Sequence, residues 1–211
     1  LAEKEVLIRE LYHRTKNNMQ VICAMLNIQL MYVNDDRLRT AFKSMENRIL
    51  SMSLVHQKLY KSKDLSRINL GEYIRDLSEL LLSSYSIMRN RVNLDTDGIE
   101  EVHVQIDTAI PCGLVLNELI TNSLKYAFPD GRNGFIRIVL SQKADGLIIL
   151  EIADNGIGTA PGFDVRRDGK MGLTTVMDIS ESQLSGKTAV INGQGFGFRL
   201  EFRDSLYEKR I

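Results

Sequence analysis

No run of this 211-residue chain approaches the roughly 18 to 20 consecutive apolar residues that span a bilayer, and no signal peptide is visible. Cysteine is scarce. The two present, Cys23 and Cys112, lie far apart among apolar neighbours, which argues against a disulfide or thiolate metal site. They read as reduced core residues of a cytoplasmic protein. An excess of either charge is also lacking: Lys plus Arg and Asp plus Glu are each 27. No basic stripe is interleaved with aromatics, so nothing argues for nucleic acid as a partner. The phosphate-cradling pattern GxxxxGK[ST] does not occur, which excludes a P-loop. Repeats and low-complexity segments are missing too. What remains is ordinary for a globular protein, 44% hydrophobic and 26% charged, with a length that suits one large domain or two small ones. The chain opens at Leu1 inside a helical pattern, so we expect a piece of a longer protein whose controlling input lies upstream.

From Glu3 to about Val33 there is no Gly or Pro, and apolar residues recur at Leu7, Leu11, Met19, Ile22, Met25 and Leu26. This periodicity predicts a helix. Asn34-Asp35-Asp36 supplies a turn and an N-cap. A second helix then places Leu38, Phe42, Met45, Ile49, Met52, Val55 and Leu59 at steps of three and four, a heptad-like seam. Two helices of about 40 Å each, joined tightly, form an antiparallel hairpin with too little partner surface to stand alone. We expect two chains to complete a four-helix bundle as a homodimer; packing on the rest of the same chain is the alternative.

Lys61 to Arg67 is polar and reads as a linker, giving expected domains of 1–66 and 67–211. Beyond it the pattern is mixed: helices at 70–88, about 108–128 and 172–184, with Pro111 in the first turn of the second. Strands are expected at 91–96, 102–106, 135–141, 147–154, 187–192 and 196–202, each with period two. Asp145-Gly146 turns one hairpin. The fold class is therefore α+β: a helical hairpin followed by a two-layer α/β sandwich with a mixed, mostly antiparallel sheet.

Glu118, Asn122 and Lys125 are spaced four and three apart and share one helical stripe. A carboxylate, an amide oxygen and an ammonium in a row suit a Mg²⁺–polyphosphate, although an ordinary polar helix face has the same pattern. Asp154 continues the inward phase of Ile148, Leu150 and Ile152, so its carboxylate should point inward at the strand's end. Such a group needs donors; an adenine amino group is one, a turn backbone another. Asn155-Gly156-Ile157-Gly158 lets backbone approach a ligand closely. The stretch from Gly156 to Gly172 is loose and basic, with Arg166, Arg167 and Lys170, and could fold over phosphates. Gly193, Gly195 and Gly197 mark either another close approach or a tight hairpin with a bulge.

These residues resemble the gyrase, histidine-kinase and MutL ATP-binding superfamily over about residues 68 to 204. Glu118 through Lys125 looks like its N box, Asp154 through Gly158 its first glycine box, and Met171-Gly172-Leu173 its second. The resemblance implies ATP and Mg²⁺ as cofactors, with Asn122 as the metal ligand, Lys125 on phosphate, Asp154 on the adenine amino group and Tyr126 stacking near the base. Gly156, Gly158, Arg166, Arg167, Gly172 and Gly195 complete the expected ATP-binding set. The sequence departs from the family in one way: a Gly-Thr pair is common before the last strand, and here Gly195 is followed by Phe196 and Gly197, so a hydroxyl of the adenine network is missing. The lid also lacks a clear phenylalanine box, with Phe163 the only candidate.

His13 has Glu10 three residues before it and Asn17 four after, all on one helical face. An imidazole attacks phosphorus through one neutral nitrogen, so the other must hold its proton in place. Glu10 is the expected acceptor for that proton, while Arg14 and Lys16 would attract the triphosphate. His56, beside the helical seam, reads as packing, and His103 as an exposed strand residue. Residues 5 to 30, with Ser53 through Tyr60, look like the dimerisation and phosphoacceptor hairpin of a sensor histidine kinase subgroup with an HRxKNN-type box. Most histidine kinases place an acid straight after the histidine; Arg14 stands there in this chain.

The expected function is therefore an ATP-dependent protein-histidine kinase of a two-component system. It would phosphorylate His13, with Glu10 and Glu118 as further catalytic residues, and pass the phosphoryl group to an aspartate on a response-regulator receiver domain. The linker would act as a hinge. Asn17, one turn beyond His13, is a candidate for positioning a water that dephosphorylates the regulator. Two other classes remain: an ATPase or serine kinase of the same superfamily, in which Glu118 activates water, and a non-catalytic dimeric scaffold.

Overall fold

The computed structural model describes residues 2–61, 66–85, 88–160, 162–169 and 171–204. The chain divides into two compact units, Leu1–Ile68 and Asn69–Ile211. The linker expected over Lys61 to Arg67 falls largely on residues 62–65, outside the described residues.

The first unit is a pair of helices, α1 (Ala2–Tyr32) and α2 (Asp36–Lys61). The turn between them ends at Asp35, whose Oδ1 accepts from the backbone N–H of Arg37 at 2.7 Å and of Leu38 at 3.1 Å. Those donors have no partner inside the helix, so this side chain starts α2. A polar layer fixes how the two helices pair. Asn27 Nδ2 donates to Glu46 Oε1 at 2.7 Å, and Lys43 Nζ meets Glu46 Oε2 at 2.8 Å. Glu46 is buried, and a register slip between the helices would strip its carboxylate of Asn27, leaving only Lys43 on its own helix. Further along α2, Val55 and Leu59 are fully buried.

In the second unit, the strand β1 (Arg67–Asn69) leads into α3 (Leu70–Ser84). Asn69 caps that helix by accepting from Glu72 N at 3.1 Å. The helix expected to reach residue 88 ends four residues earlier. Strands β2 (Val92–Asp95) and β3 (His103–Gln105) follow, then α4 (Ile106–Asn122). The strand expected over 102–106 is thus shortened, and α4 begins before Thr108. Beside this start the Asp204 carboxylate accepts from Gln105 N at 3.2 Å and from Thr108 Oγ1 at 2.6 Å. An acid beside a helix N-terminus is favoured by the helix dipole. Pro111 therefore sits in the second turn of the helix, not the first.

α4 does not run on as an α-helix to Phe128. Ser123–Ala127 forms a π-helical turn. The remaining elements are β4 (Gly134–Gln142), β5 (Ile148–Asp154), the short α5 (Val165–Asp168), α6 (Met171–Asp178) with a π-helical turn over Ile179–Gln183, and β6 (Lys187–Gly193) and β7 (Gly195–Phe202). Five strands make one sheet in the order β2-β4-β5-β7-β6, parallel only between β2 and β4. Opposed pairs such as Leu140–Leu150, Leu150–Leu200 and Ile152–Phe198 put one apolar row on a single face, and these residues are buried. Alternate positions carry Glu151, Arg199 and Glu201, which are linked to one another. Helix α4 lies between α3 and α6, and its buried side includes Cys112, Val115, Leu116, Leu119 and Ile120. Cys23 and Cys112 are both free and buried.

Candidate functional site

Asp154 ends β5, opposite Ile136, and is only 5% exposed. A carboxylate this deep must be served by donors, and three elements supply them. Oδ1 accepts from Gly156 N at 2.9 Å and from Phe196 N at 3.2 Å, while Oδ2 accepts from Ser123 Oγ at 2.7 Å. A carboxylate has about four acceptor positions. Three are filled among the described residues, and the fourth is on Oδ2. The hydroxyl expected to be missing near the last strand is thus supplied from the opposite side, by Ser123 at the end of α4. Serine directly after Asn122 was the available signal, and helical spacing alone gave it no significance.

Backbone crowding explains the glycines. At Gly195 (φ 100°) an added Cβ would lie 1.9 Å from Asp154 O, and at Gly156 one would lie 2.4 Å from Ala127 O. Gly195 is therefore both a close approach and the corner of a tight hairpin, where Gly193 pairs with Gly195. Ile157 N donates to Ala127 O at 3.0 Å, tying the first glycine-rich segment to the π-helical turn. Gly158 passes Gly195, with 3.1 Å from its Cβ position to Gly195 O. Asn155 is used internally: its Oδ1 accepts from Phe135 N at 2.8 Å.

Glu118 and Asn122 share a stripe of α4 as expected, and Gly172 at the start of α6 lies against both. Its Cβ position is 2.8 Å from Glu118 Oε2 and 3.9 Å from Asn122 Oδ1. Glu118 is buried and accepts from Asn117 Nδ2 at 3.1 Å. Lys125 and Tyr126 fall in the π-helical turn, so α-helical spacing does not carry the stripe through to Lys125. Tyr126 is 58% exposed. Tyr85, which periodicity did not single out, stands near this end of α4: burial, then Tyr126 and Glu118, push its phenol up to about 12. The basic pair of the expected lid is engaged elsewhere. Asp164 caps α5, Arg166 pairs with Glu181, and Arg167 pairs with Asp168 at 2.8 Å. Lys170 lies outside the described residues. The structure therefore unites Glu118, Asn122, Asp154, Gly156, Gly158, Gly172 and Gly195, and holds Arg166 and Arg167 in ion pairs.

In the helical unit His13 is exposed. Its ring lies 5.8 Å from that of Tyr60. The expected Glu10 contact is not formed: Glu10 Oε1 accepts from Arg14 Nε at 2.7 Å, a partner one full turn away that offers charge as well as a donor. The hydrogen bond to Arg14 first, then its charge, holds the Glu10 carboxyl below the usual range. Asn17 takes the place beside the imidazole, with Nδ2 3.3 Å from His13 Nδ1. His56 packs against Tyr12 at 5.7 Å between ring centroids, and burial lowers its proton affinity. His103 is exposed, as expected.

Two family models match the chain. Residues 10–85 match the family described as "Histidine kinase", and residues 108–206 match "Histidine kinase-, DNA gyrase B-, and HSP90-like ATPase". The sensor histidine kinase PdtaS of Mycobacterium tuberculosis is 30% identical over 189 residues, which are 88% of this chain and 36% of that protein. Blue-light-activated histidine kinase 2 of Erythrobacter litoralis is 25% identical over 183 residues, 84% of this chain and 51% of that protein. The chain thus spans about a third to a half of these relatives. The solved histidine kinase domain of Erythrobacter litoralis EL346 blue-light activated histidine kinase has the same fold, with a TM-score of 0.68, 20% identity, and coverage of 96% of this chain and 95% of that one. With a phosphoacceptor segment and an ATPase domain in sequence, the two matches taking in most of its length, the chain belongs to the histidine kinase family.

Proposed function

We propose that this chain is the phosphoacceptor and ATP-binding core of an ATP-dependent protein-histidine kinase. The observation that carries this reading is Asp154, a buried carboxylate with three fixed donors among the described residues and a fourth acceptor position on Oδ2. An acceptor-only group selects a base that donates there, as the adenine amino group does. Gly156, Gly158 and Gly195 bring backbone close on its flanks. Asn122 supplies a hard oxygen for Mg²⁺, and no group of three His, Cys, Asp or Glu that could hold a metal exists among the described residues. That donor set fits Mg²⁺, which takes most of its ligands from phosphates and water. When bound, the ion neutralises charge on the transferring phosphoryl group. Lys125 pairs with phosphate, Tyr126 covers the base, and Arg166 and Arg167 exchange carboxylate for phosphate partners as the lid closes. Glu118, oriented by Asn117, is the carboxylate beside the metal ligand.

In the transfer, His13 Nε2 attacks the γ-phosphorus, the bond to the β,γ-bridging oxygen breaks, and ADP leaves. The Nδ1 proton must stay on the ring and be held there. Asn17 does this through its amide oxygen, because an amide's two ends interchange by a flip. The phosphoryl group then passes from His13 to an aspartate of a response-regulator receiver domain, the N–P bond breaking as an acyl phosphate forms. The same amide positions water for dephosphorylating that partner. We assign the hairpin, residues 1–66, to phosphoacceptance and dimerisation and residues 67–211 to ATP binding, with residues 61–67 as the hinge. No helix among the described residues is long and apolar enough to cross a membrane, and we place the core in the cytoplasm.

The test is radiolabelled ATP with the full chain. Label should appear on the protein, survive alkali and be lost in acid, the behaviour of phosphohistidine. His13→Ala should remove it while ADP affinity stays within a few-fold of the parent. Acid-stable label, or equal labelling of the variant, would sink the reading.

A further inference from the structure

We infer that Ser123 is a positioning residue for nucleobase selection, acting through Asp154; this rests on the reading of Asp154 as the acceptor for an exocyclic amino group. Asp154 Oδ1 is saturated by two backbone donors, Gly156 N and Phe196 N, which belong to two different glycine-rich segments. They locate one oxygen of the carboxylate and leave it free to tilt about that oxygen. Whether the remaining acceptor position faces a ligand depends on Oδ2, and the one protein donor to Oδ2 among the described residues is Ser123 Oγ at 2.7 Å. Ser123 is itself 5% exposed and sits in helical geometry at φ −60°, ψ −45°. Its hydroxyl has little freedom to leave.

The placement joins two ends of the nucleotide. Asn122, the proposed metal ligand, and Ser123, the proposed base-side residue, are consecutive. An α-helix turns about 100° between them, so neighbouring residues point in different directions, one toward the phosphates and the other toward the strand end. The π-helical turn begins at Ser123, so the helix widens where its role changes. The departure before the last strand then has a physical account: with Phe196 offering only its backbone N–H, the hydroxyl that locks the carboxylate comes from the helix.

The chemistry sets the discrimination. Adenine presents an amino donor where hypoxanthine presents a carbonyl acceptor. A locked carboxylate accepts from the first and repels the second, whereas a carboxylate free to turn does both less well. Titration calorimetry of the full chain with Mg²⁺ and either ADP or inosine diphosphate tests this. The parent should prefer ADP. Ser123→Ala should weaken ADP by about tenfold, the scale of a lost hydrogen bond to a charged group, and change inosine diphosphate much less, so the preference shrinks. If the alanine variant does not fold, Ser123→Cys, similar in shape with a weak donor, must give the same selective loss. An unchanged preference, or equal loss for both nucleotides, would overturn the role of Ser123 and leave Asp154 untouched. Asp154→Ala separates the two ideas: if it keeps the ADP preference, the adenine reading itself fails, whatever Ser123 does.

Discussion

At His13 the decisive question is which neighbour holds the ring proton. Glu10 is spent on Arg14, and the exposure of that pair makes it weak but not idle. Asn17 is the group at hydrogen-bond distance of Nδ1. A single hydrogen bond is worth about 1 kcal/mol net, so Asn17→Ala should slow the appearance of phosphohistidine roughly fivefold, while Glu10→Gln should change it little. Asn17→Asp, which can only accept, should restore the rate if the ring donates from Nδ1. Initial rates of label incorporation read all three. A severe defect in Glu10→Gln with a normal Asn17→Ala would return the orienting role to the acid.

Elements differ in how much of them the sequence made legible. Hydrophobic periodicity located both long helices, α3, α6 and every strand of the five-stranded sheet, because each buries one face and its period records that burial. Three features escaped it. α4 starts two residues before Thr108, with Asp204, almost a hundred residues on, accepting from Gln105 N and Thr108 Oγ1 beside that start. The π-helical turn is held by Ile157, thirty residues beyond Ala127. Arg166 and Arg167 looked free, yet Arg166 pairs with Glu181 fifteen residues on and Arg167 with the adjacent Asp168. Within the site, Asp154 was readable from strand phase alone, whereas Ser123 was not, since a buried serine leaves no mark in a hydrophobic pattern. The lid yields a prediction at this scale. Arg166 is tied to Glu181, so Glu181→Gln should release it toward phosphate and tighten ATP a few-fold, with ADP tightening less. Weaker ATP binding in that variant would mean the pair organises the lid. The hairpin yields another. Burial lowers the proton affinity of His56 below its ordinary value of 6.5, so the unfolded chain binds a proton more readily. The helical unit is then fully stable above about pH 6.5 and loses stability as pH falls from there toward the lowered folded value. His56→Phe should flatten that slope in thermal melts between pH 7.5 and 5.5; an unaltered slope would assign it to other groups.

The whole molecule carries an apolar surface that one chain does not cover. Leu7, Leu11, Ile22 and Met25 of α1, with Leu38 and Met45 of α2, are exposed, Met25 by 60% and Leu7 by 64%. Exposed apolar residues in such number on two paired helices point to an interface, and heptad spacing suits a second copy of the same helices. Sedimentation should therefore give a dimer. Ile22→Glu with Met25→Glu should give a monomer that binds ADP as the parent does, because the proposed nucleotide residues belong to the other compact unit. A dimer unaffected by two charges there would place the interface elsewhere.

The three donors to Asp154 come from residues 2, 31 and 42 positions away. Only the first is local, and long-range contacts are the last that a folding chain closes. A growing or truncated polypeptide ending before Phe196 therefore has β5 and its acid, but an incompletely furnished carboxylate. On the proposed reading, ATP would favour the finished unit over an unfinished one and stabilise it by mass action. By the same reading, a core interrupted ahead of β7 lacks the Phe196 donor that fixes Asp154 and should bind nucleotide more weakly than the finished one.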